Sequence, residues 1–412
     1  MVKFDRFTLD NGLRVIVHRD TSTPIVAMNI IYNVGSRDEH PDRTGFAHLF
    51  EHLMFGGSVN IPRFDEPLER VGGENNAFTN NDYTNYYLTV PVHNLETAFW
   101  LESDRMLDLA FSTKSFDVQR NVVVEEFRQN YLNQPYGDAW MLLRPLAYKV
   151  HPYRWATIGV HPSHIEEAAM EEVRDFYARF YNPCNAIMVL AGDVETEQIK
   201  ELSEKWFGVI KKGSVYNRNL AVEPEQTEAR MLSVNRDVPF DAVYKAWHMC
   251  SRMDAGFYAT DLISDILSAG QSGRLHQQLV KNLRLFSDIN AFISGDIEAG
   301  LFVITGKLMK GISMEEAENA LQVEIDKILN SPVDETELQK VKNRVEAIME
   351  FSEMRVLEKA MNLAYYELLG DAAQANELFA RYASVTTADI TLEARKLFRP
   401  ENCSTLYYFA NK

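Results

Sequence analysis

Apolar and polar positions alternate at the start of the chain and then change to a helical spacing. Asp10-Asn11-Gly12 is a hairpin turn sequence between two short alternating runs, and residues 25–32 form a longer apolar run rich in β-branched side chains. Over residues 44–55 the apolar positions recur every three to four residues until Gly56-Gly57, which predicts a helix. Residues 76–90 alternate again and carry several threonines and tyrosines, which predicts a strand.

The rest of the pattern repeats this order in outline. It predicts helices over 92–146, 164–180 and 196–210, a buried strand over 186–191, strands near 231–249, 288–308 and 404–409, and helices over 256–283 and 314–398. Both halves begin with strands, continue with long helices and close on a strand, which suggests a duplication of units of about 200 residues. Residues 211–230 have little apolar periodicity and predict the connecting segment. Strands and helices that are segregated in this way indicate α+β layers.

Composition and charge narrow the class of protein. A chain of 412 residues predicts two or more domains. Its formal net charge of −17 disfavours nucleic acid as a partner, because an acidic protein repels the phosphate backbone. We find no apolar run of about 18 residues, so no membrane span is expected. Cys184, Cys250 and Cys403 lie far apart, so neither a disulfide framework nor a cysteine metal site is expected.

The N-terminus gives an expectation about the compartment. It lacks the basic start and the apolar core of a signal peptide, so a cytoplasmic location is expected. A periplasmic location is expected instead if a signal has been removed.

The segment His48-Leu49-Phe50-Glu51-His52 carries the candidate chemistry. Positions i and i+4 share one face of a helix, so His48 and His52 can direct two imidazoles at one point, as ligands of Zn²⁺ do. Glu51 flanks that face and can take a proton from water and return it to a leaving amine. The order H-x-x-E-H is the inverzincin signature. The alternative is an ordinary helix, in which these polar groups would be costly inside an apolar segment.

A catalytic zinc needs a third protein ligand, which should come from another element. Residues 119–129 place Glu125 and Glu126 after three valines on a predicted helix. Adjacent helical positions point about 100° apart, so only one of the two can face the site. Composition does not choose between them, and a solvated acidic pair is the alternative interpretation.

Further segments extend these features into a resemblance that covers nearly the whole chain. They are the H-x-x-E-H segment, Gly72-Gly73-Glu74-Asn75-Asn76-Ala77-Phe78-Thr79, Arg120-Asn121-Val122-Val123-Val124-Glu125-Glu126, Tyr181-Asn182-Pro183, Ala191-Gly192-Asp193 and Ser272-Gly273-Arg274-Leu275. The sequence resembles the pitrilysin family, which includes insulin-degrading enzyme and the mitochondrial processing peptidase. The resemblance implies an α+β fold with two similar halves, each a mostly antiparallel sheet packed against a layer of helices. It also implies an N-terminal zinc-binding catalytic domain over 1–215 and a related C-terminal domain over 225–412 that completes a substrate chamber.

The resemblance further implies a zinc metalloendopeptidase that hydrolyses peptides or unfolded polypeptides. His48 and His52 match the zinc ligands of the family, and Glu51 matches the general base. Glu126, rather than Glu125, matches the third zinc ligand. The zinc would lower the pKa of its water toward about 7 and stabilise the oxyanion.

Substrate contacts are implied at some positions and absent at others. Asn76 and Ala77 match the strand that pairs with an extended peptide through its backbone. Gln119 stands where the family usually has a glutamate, and Val280 and Ser287 stand where active relatives carry an arginine and a tyrosine. We therefore expect a dimer in which a related partner chain supplies those two residues, with a homodimer as the rival arrangement. A non-catalytic structural or regulatory subunit of a related assembly is the alternative function.

Overall fold

The computed structural model describes residues 1–411, so that Lys412, the last residue of the predicted C-terminal domain, lies outside the described residues. Eleven strands are found in this part of the chain. They are β1 (Asp5–Thr8), β2 (Arg14–Arg19), β3 (Ile25–Tyr32), β4 (Glu74–Thr79), β5 (Thr84–Pro91), β6 (Ala186–Gly192), β7 (Arg230–Arg236), β8 (Ala242–His248), β9 (Phe286–Ile293), β10 (Leu301–Leu308) and β11 (Cys403–Ala410).

Helices occupy most of the sequence between the strands. The α-helices are α1 (Phe46–Leu53), α2 (Asp65–Arg70), α3 (Leu95–Leu107), α4 (Thr113–Phe127), α5 (Ala139–Ala147), α6 (Ser163–Glu166), α7 (Met170–Phe180), α8 (Thr196–Trp206), α9 (Phe257–Ser268), α10 (Met314–Asn330), α11 (Glu335–Ser352), α12 (Val356–Leu368), α13 (Leu378–Ser384) and α14 (Thr387–Leu397). Two π-helical segments, Arg128–Leu132 and His276–Asn282, interrupt the stretches that the sequence predicts as continuous helix.

The first compact unit consists of Met1–Gln129, Trp155–Leu220 and Glu350–Glu377. Its sheet has the order β1-β2-β6-β3-β5-β4, in which β2 and β6 are parallel and the other neighbours are antiparallel. Helix α12 covers one face of this sheet through Val356, Ala360, Leu363 and Ala364. These residues recur at helical spacing, and the two alanines allow the helix to approach the strands closely.

The second compact unit consists of Asn130–Arg154, Ala221–Met349 and Leu378–Lys412. Its sheet has the order β7-β11-β8-β10-β9, with β7 and β11 parallel and the other neighbours antiparallel. Helix α5 packs on this sheet through Ala139, Leu143 and Ala147. A second cluster of buried residues joins the sheet to α9, α10 and α14.

The two sheets share one topology. The order β2-β6-β3-β5-β4 of the first unit corresponds strand for strand to β7-β11-β8-β10-β9 of the second, including the single parallel pair. The predicted α+β fold with two similar, mostly antiparallel halves is therefore confirmed. Each unit takes one segment from the opposite half of the sequence, 350–377 in the first and 130–154 in the second. The domain limits 1–215 and 225–412 stay a prediction.

The strand predicted over residues 76–90 is in fact a hairpin of β4 and β5. The side-chain Oδ1 of Asn80 accepts hydrogen bonds from the backbone N–H groups of Asp82 (2.8 Å) and Tyr83 (2.9 Å). Asparagine forms such turns with its own side chain, and this turn reverses the chain without a glycine or a proline. The hairpin leaves β4 at the edge of the sheet.

A search of the helices within residues 1–411 finds none that is long and apolar enough to cross a membrane. The compartment in which the protein works stays a prediction.

An ion pair ties α12 to the loop that follows β2. Lys359 Nζ lies 2.6 Å from Asp20 Oδ2, and the two side chains are 15% and 12% exposed. Burial alone would raise the pKa of Asp20. The hydrogen bonds from Lys359 and Ser22, together with the charge of Lys359, outweigh burial and hold this pKa well below its usual range.

We expect Asp20→Asn to lower the free energy of unfolding by about 2 kcal/mol at pH 7, because a charge-assisted hydrogen bond is lost. The folded-state pKa of Asp20 is depressed. Its contribution is therefore present above the unfolded pKa of about 3.9 and is lost as the pH falls toward the folded pKa. Urea unfolding at pH 7 and at pH 3 measures both effects, and the difference between wild type and variant should shrink at pH 3.

Asp193→Asn is the matched control, because it removes an aspartate whose ion pair is exposed. The side chain of Asp193 is 48% exposed, and its Oδ1 lies 3.9 Å from Nε of Arg19. A change within about 0.5 kcal/mol is expected there. Equal losses in the two variants would contradict a structural role for the Asp20–Lys359 pair.

Candidate metal centre

Packing fixes the rotation of α1 about its own axis. Phe46, Leu49, Phe50 and Leu53 are buried, and they occupy one face at helical spacing. The ring of Phe50 stacks on that of Phe176 in α7, with centroids 5.0 Å apart. This packing leaves the opposite face to the polar residues of the H-x-x-E-H segment.

That polar face brings both histidines to one acid. The Nε2 atoms of His48 and His52 lie 3.8 Å and 3.5 Å from Oε2 of Glu126, which α4 supplies. One ligand atom from each of the three residues lies within 4.8 Å of the others. A tetrahedral ion with bonds of about 2.0–2.2 Å would separate its ligand atoms by about 3.3–3.6 Å. The donor set and its spacing therefore fit a zinc ion.

The neighbouring acid points elsewhere. Glu125 is exposed and pairs with Arg128 one turn further along the chain. The structure thus brings Glu126, and not Glu125, to the two histidines.

The protonation states suit a cation as well. Burial lowers the pKa of His48 to about 4, although the nearby Glu126 opposes this shift. The hydrogen bond with His52 lowers the pKa of Glu126 below its usual value. At neutral pH His48 is therefore neutral and Glu126 is a carboxylate, the forms that bind a metal ion.

Glu51 contacts Thr79 of the edge strand and lies near the charges of His52 and Glu126. Burial raises the pKa of Glu51, while hydrogen bonds with the side chain and backbone of Thr79 oppose the rise. Thr79 is the last residue of β4, so the same short segment contacts Glu51 and borders the open edge of the sheet. Sequence reasoning did not single out Thr79, because a threonine in a strand is ordinary.

Asn76 and Ala77 lie on β4. Asn76 is exposed and Ala77 is half-buried. The backbone N–H of Ala77 donates a hydrogen bond to Oδ1 of Asn76, at 2.8 Å. At this point the edge strand thus uses a neighbouring side chain as its acceptor.

The positions that depart from the family pattern lie in both units. Gln119 is on α4, two turns before Glu126, and lines a cavity of about 840 Å³ together with Phe55, Gly56 and Val118. Val280 packs against the core of the second unit, and the hydroxyl of Ser287 donates to the carbonyl of Lys307.

Comparisons with known proteins agree with this architecture. A family model described as Insulinase (Peptidase family M16) matches residues 14–149, and a model described as Peptidase M16 inactive domain matches residues 168–345. The chain belongs to the pitrilysin/insulinase (M16) family, which confirms the resemblance found in its sequence.

Relatives and solved structures extend the match to nearly the full chain. The zinc protease PqqE of Helicobacter pylori (strain ATCC 700392 / 26695) is 27% identical over 411 residues, which cover 98% of this chain and 92% of that protein. The crystal structure of a protease from Helicobacter pylori has a TM-score of 0.93 at 26% identity and covers 99% of this chain and 100% of that chain. The periplasmic protease PqqL from Escherichia coli has a TM-score of 0.79 at 18% identity. This match covers 99% of this chain but 48% of that one, and at this identity it shows the fold alone.

Proposed function

We propose that the chain is a zinc metalloendopeptidase that hydrolyses peptides or unfolded polypeptides. The observation that carries the proposal is the convergence of His48, His52 and Glu126 on a volume of the right size for one Zn²⁺, with Glu51 beside it. Family membership and the names of relatives as zinc proteases support the same chemistry. Bound zinc would supply a Lewis acid and would lower the pKa of a water molecule toward about 7.

The side chains of the site have separate roles in metal binding and in proton transfer. His48 and His52 would hold the ion, and Glu126 would supply the third donor and a negative charge. Glu51 accepts a proton on its carboxylate from the attacking water and returns it to the amide nitrogen of the leaving group. The hydrogen bonds with Thr79 fix the direction of that carboxylate.

The edge strand β4 suits an extended peptide. A peptide that adds to this edge is held through its backbone, whatever its side chains are. A carbonyl oxygen of the bound peptide would replace Asn76 Oδ1 as the acceptor of the backbone N–H of Ala77. The position of Thr79 at the end of the same strand supports delivery of the scissile bond toward Glu51.

The third metal donor is tested by Glu126→Gln with Glu125→Gln as its control. We expect Glu126→Gln to lose zinc during dialysis and to lose peptide hydrolysis, because an amide is a much poorer zinc ligand than a carboxylate. Glu125→Gln removes the same charge from the adjacent exposed position and should keep both properties. Metal analysis and hydrolysis of a fluorogenic peptide measure them, and equal behaviour of the two variants would contradict the assignment of Glu126.

The general base is tested by Glu51→Gln. We expect this variant to keep its zinc and to lose turnover by a factor of about 10²–10⁴, because general base catalysis contributes about that much. Zinc content and kcat for the same peptide are measured side by side. Unchanged turnover would remove Glu51 from the mechanism. A zinc-loaded wild type that cleaves no peptide would instead favour the alternative function, a non-catalytic structural or regulatory subunit.

A dimer with a related chain is part of the proposal. Val280 and Ser287 cannot hold a peptide as an arginine and a tyrosine would, because a valine has no polar group and a serine hydroxyl reaches only a short distance. We infer that a partner chain supplies the missing substrate contacts.

The partner is tested by measuring mass and activity of the isolated chain. We expect the isolated chain to hydrolyse a fluorogenic peptide only weakly. This holds whether size-exclusion chromatography with light scattering finds the chain as a monomer or as a homodimer. Hydrolysis should rise when a related chain that carries the arginine and tyrosine is added. Full activity of the isolated homodimer would contradict the need for a different partner.

A further inference from the structure

The residue that precedes helix α1 cannot carry a capping side chain. Gly45 precedes the helix with a φ of +92°, and a Cβ there would lie 2.7 Å from the carbonyl oxygen of Ile158 and 3.0 Å from Cδ1 of Ile165. The serine, threonine, aspartate or asparagine that usually caps a helix is therefore excluded from this position. The first amides of α1 are nevertheless buried and need an acceptor.

A carboxylate from another segment meets that need. Glu39 Oε2 accepts the N–H of Gly45 at 2.9 Å, and Oε1 accepts the N–H of Ala47 at 2.8 Å. The residue is only 7% exposed, so water does not replace these bonds easily. Burial raises the pKa of Glu39 well above its usual value, while the hydrogen bonds from Ala47 and Gly45 oppose the rise. The cap therefore rests on the two hydrogen bonds, which the carboxyl oxygens accept. Ala47 immediately precedes His48, so the contact is made next to the metal-facing residues.

Glu39 is itself held in place. The carboxylate of the adjacent Asp38 accepts hydrogen bonds from Nε (2.7 Å) and Nη2 (2.9 Å) of Arg218. The carbonyl of Ser36 accepts the indole N–H of Trp155, at 2.8 Å. These contacts fix the backbone on which Glu39 stands, and a bidentate arginine pair fixes direction as well as distance.

We propose that Glu39 is a positioning residue of the metal centre, which acts as the remote N-cap of α1 and so fixes where His48, Glu51 and His52 lie. It acts through the helix and not by contact with ion or substrate. The inference rests on the proposed function for the identity of the ion, while the cap is a property of the fold.

The test compares Glu39→Gln with Asp20→Asn in the full chain. Both variants replace one hydrogen-bonded carboxyl group of the first unit with an amide, but only Glu39 contacts α1. Three experiments are compared: competition with a chelator for the dissociation constant of zinc, hydrogen exchange of the peptide that spans α1, and peptide hydrolysis for kcat and KM.

We expect Glu39→Gln to weaken zinc binding by about 10-fold or more, as loss of supporting contacts around a metal does. Exchange of the amides of Gly45 and Ala47 should rise by a similar factor, because their acceptor is altered. The value of kcat should fall while KM changes little. Asp20→Asn should leave zinc affinity and exchange within α1 close to the wild-type values.

Equal zinc affinity and equal exchange in α1 for wild type and Glu39→Gln would overturn the proposal. If Glu39→Gln does not fold, Glu39→Asp replaces it, because aspartate keeps the carboxyl group on a shorter side chain. Intermediate zinc affinity and exchange then support the cap, and wild-type values for both overturn it. If the wild type binds zinc but cleaves no peptide, the proposed function fails, yet zinc affinity still tests Glu39. If the wild type binds no zinc, hydrogen exchange of the amides of Gly45 and Ala47 in wild type and variant still decides whether Glu39 caps α1.

Discussion

The chemistry proposed for this protein depends on the rotation of one short helix. Successive residues of α1 point about 100° apart, so burial of Phe46, Leu49, Phe50 and Leu53 obliges His48, Glu51 and His52 to share the remaining face. Aromatic packing on α7 keeps that rotation, and Glu126 on α4 meets the two imidazoles at 3.5 Å and 3.8 Å. If α1 were rotated about its axis by the angle of one residue, its apolar side chains would leave the core and the two imidazoles would no longer face Glu126.

The duplicated fold separates architecture from chemistry. Both units place their parallel strand pair and their edge strand in the same order, so β9 of the second unit corresponds to β4 of the first. The H-x-x-E-H segment occurs only in the first half of the sequence. The same topology can therefore carry a candidate metal centre in one unit and other tasks in the second, as is common when function depends on a site and not on a fold.

The sequence predicts the periodic elements well because burial imposes their pattern. The helix of the H-x-x-E-H segment, the strand Ile25–Tyr32 and the repeated order of the two halves all follow from it. Periodicity alone could not choose between Glu125 and Glu126, since that choice depends on where α4 packs. The Asn80 turn was missed because it contains neither glycine nor proline. Glu39 was missed because an acid in a loop gives no signal of the distant helix that it caps.

X-ray absorption at the zinc edge of the purified chain tests the central claim most directly. The account predicts one zinc ion with two imidazole nitrogens and carboxylate oxygen at about 2.0–2.2 Å. It also predicts that this signal disappears when His48 or His52 is replaced by alanine. A spectrum dominated by sulfur at about 2.3 Å, or a chain that retains no zinc, would contradict it.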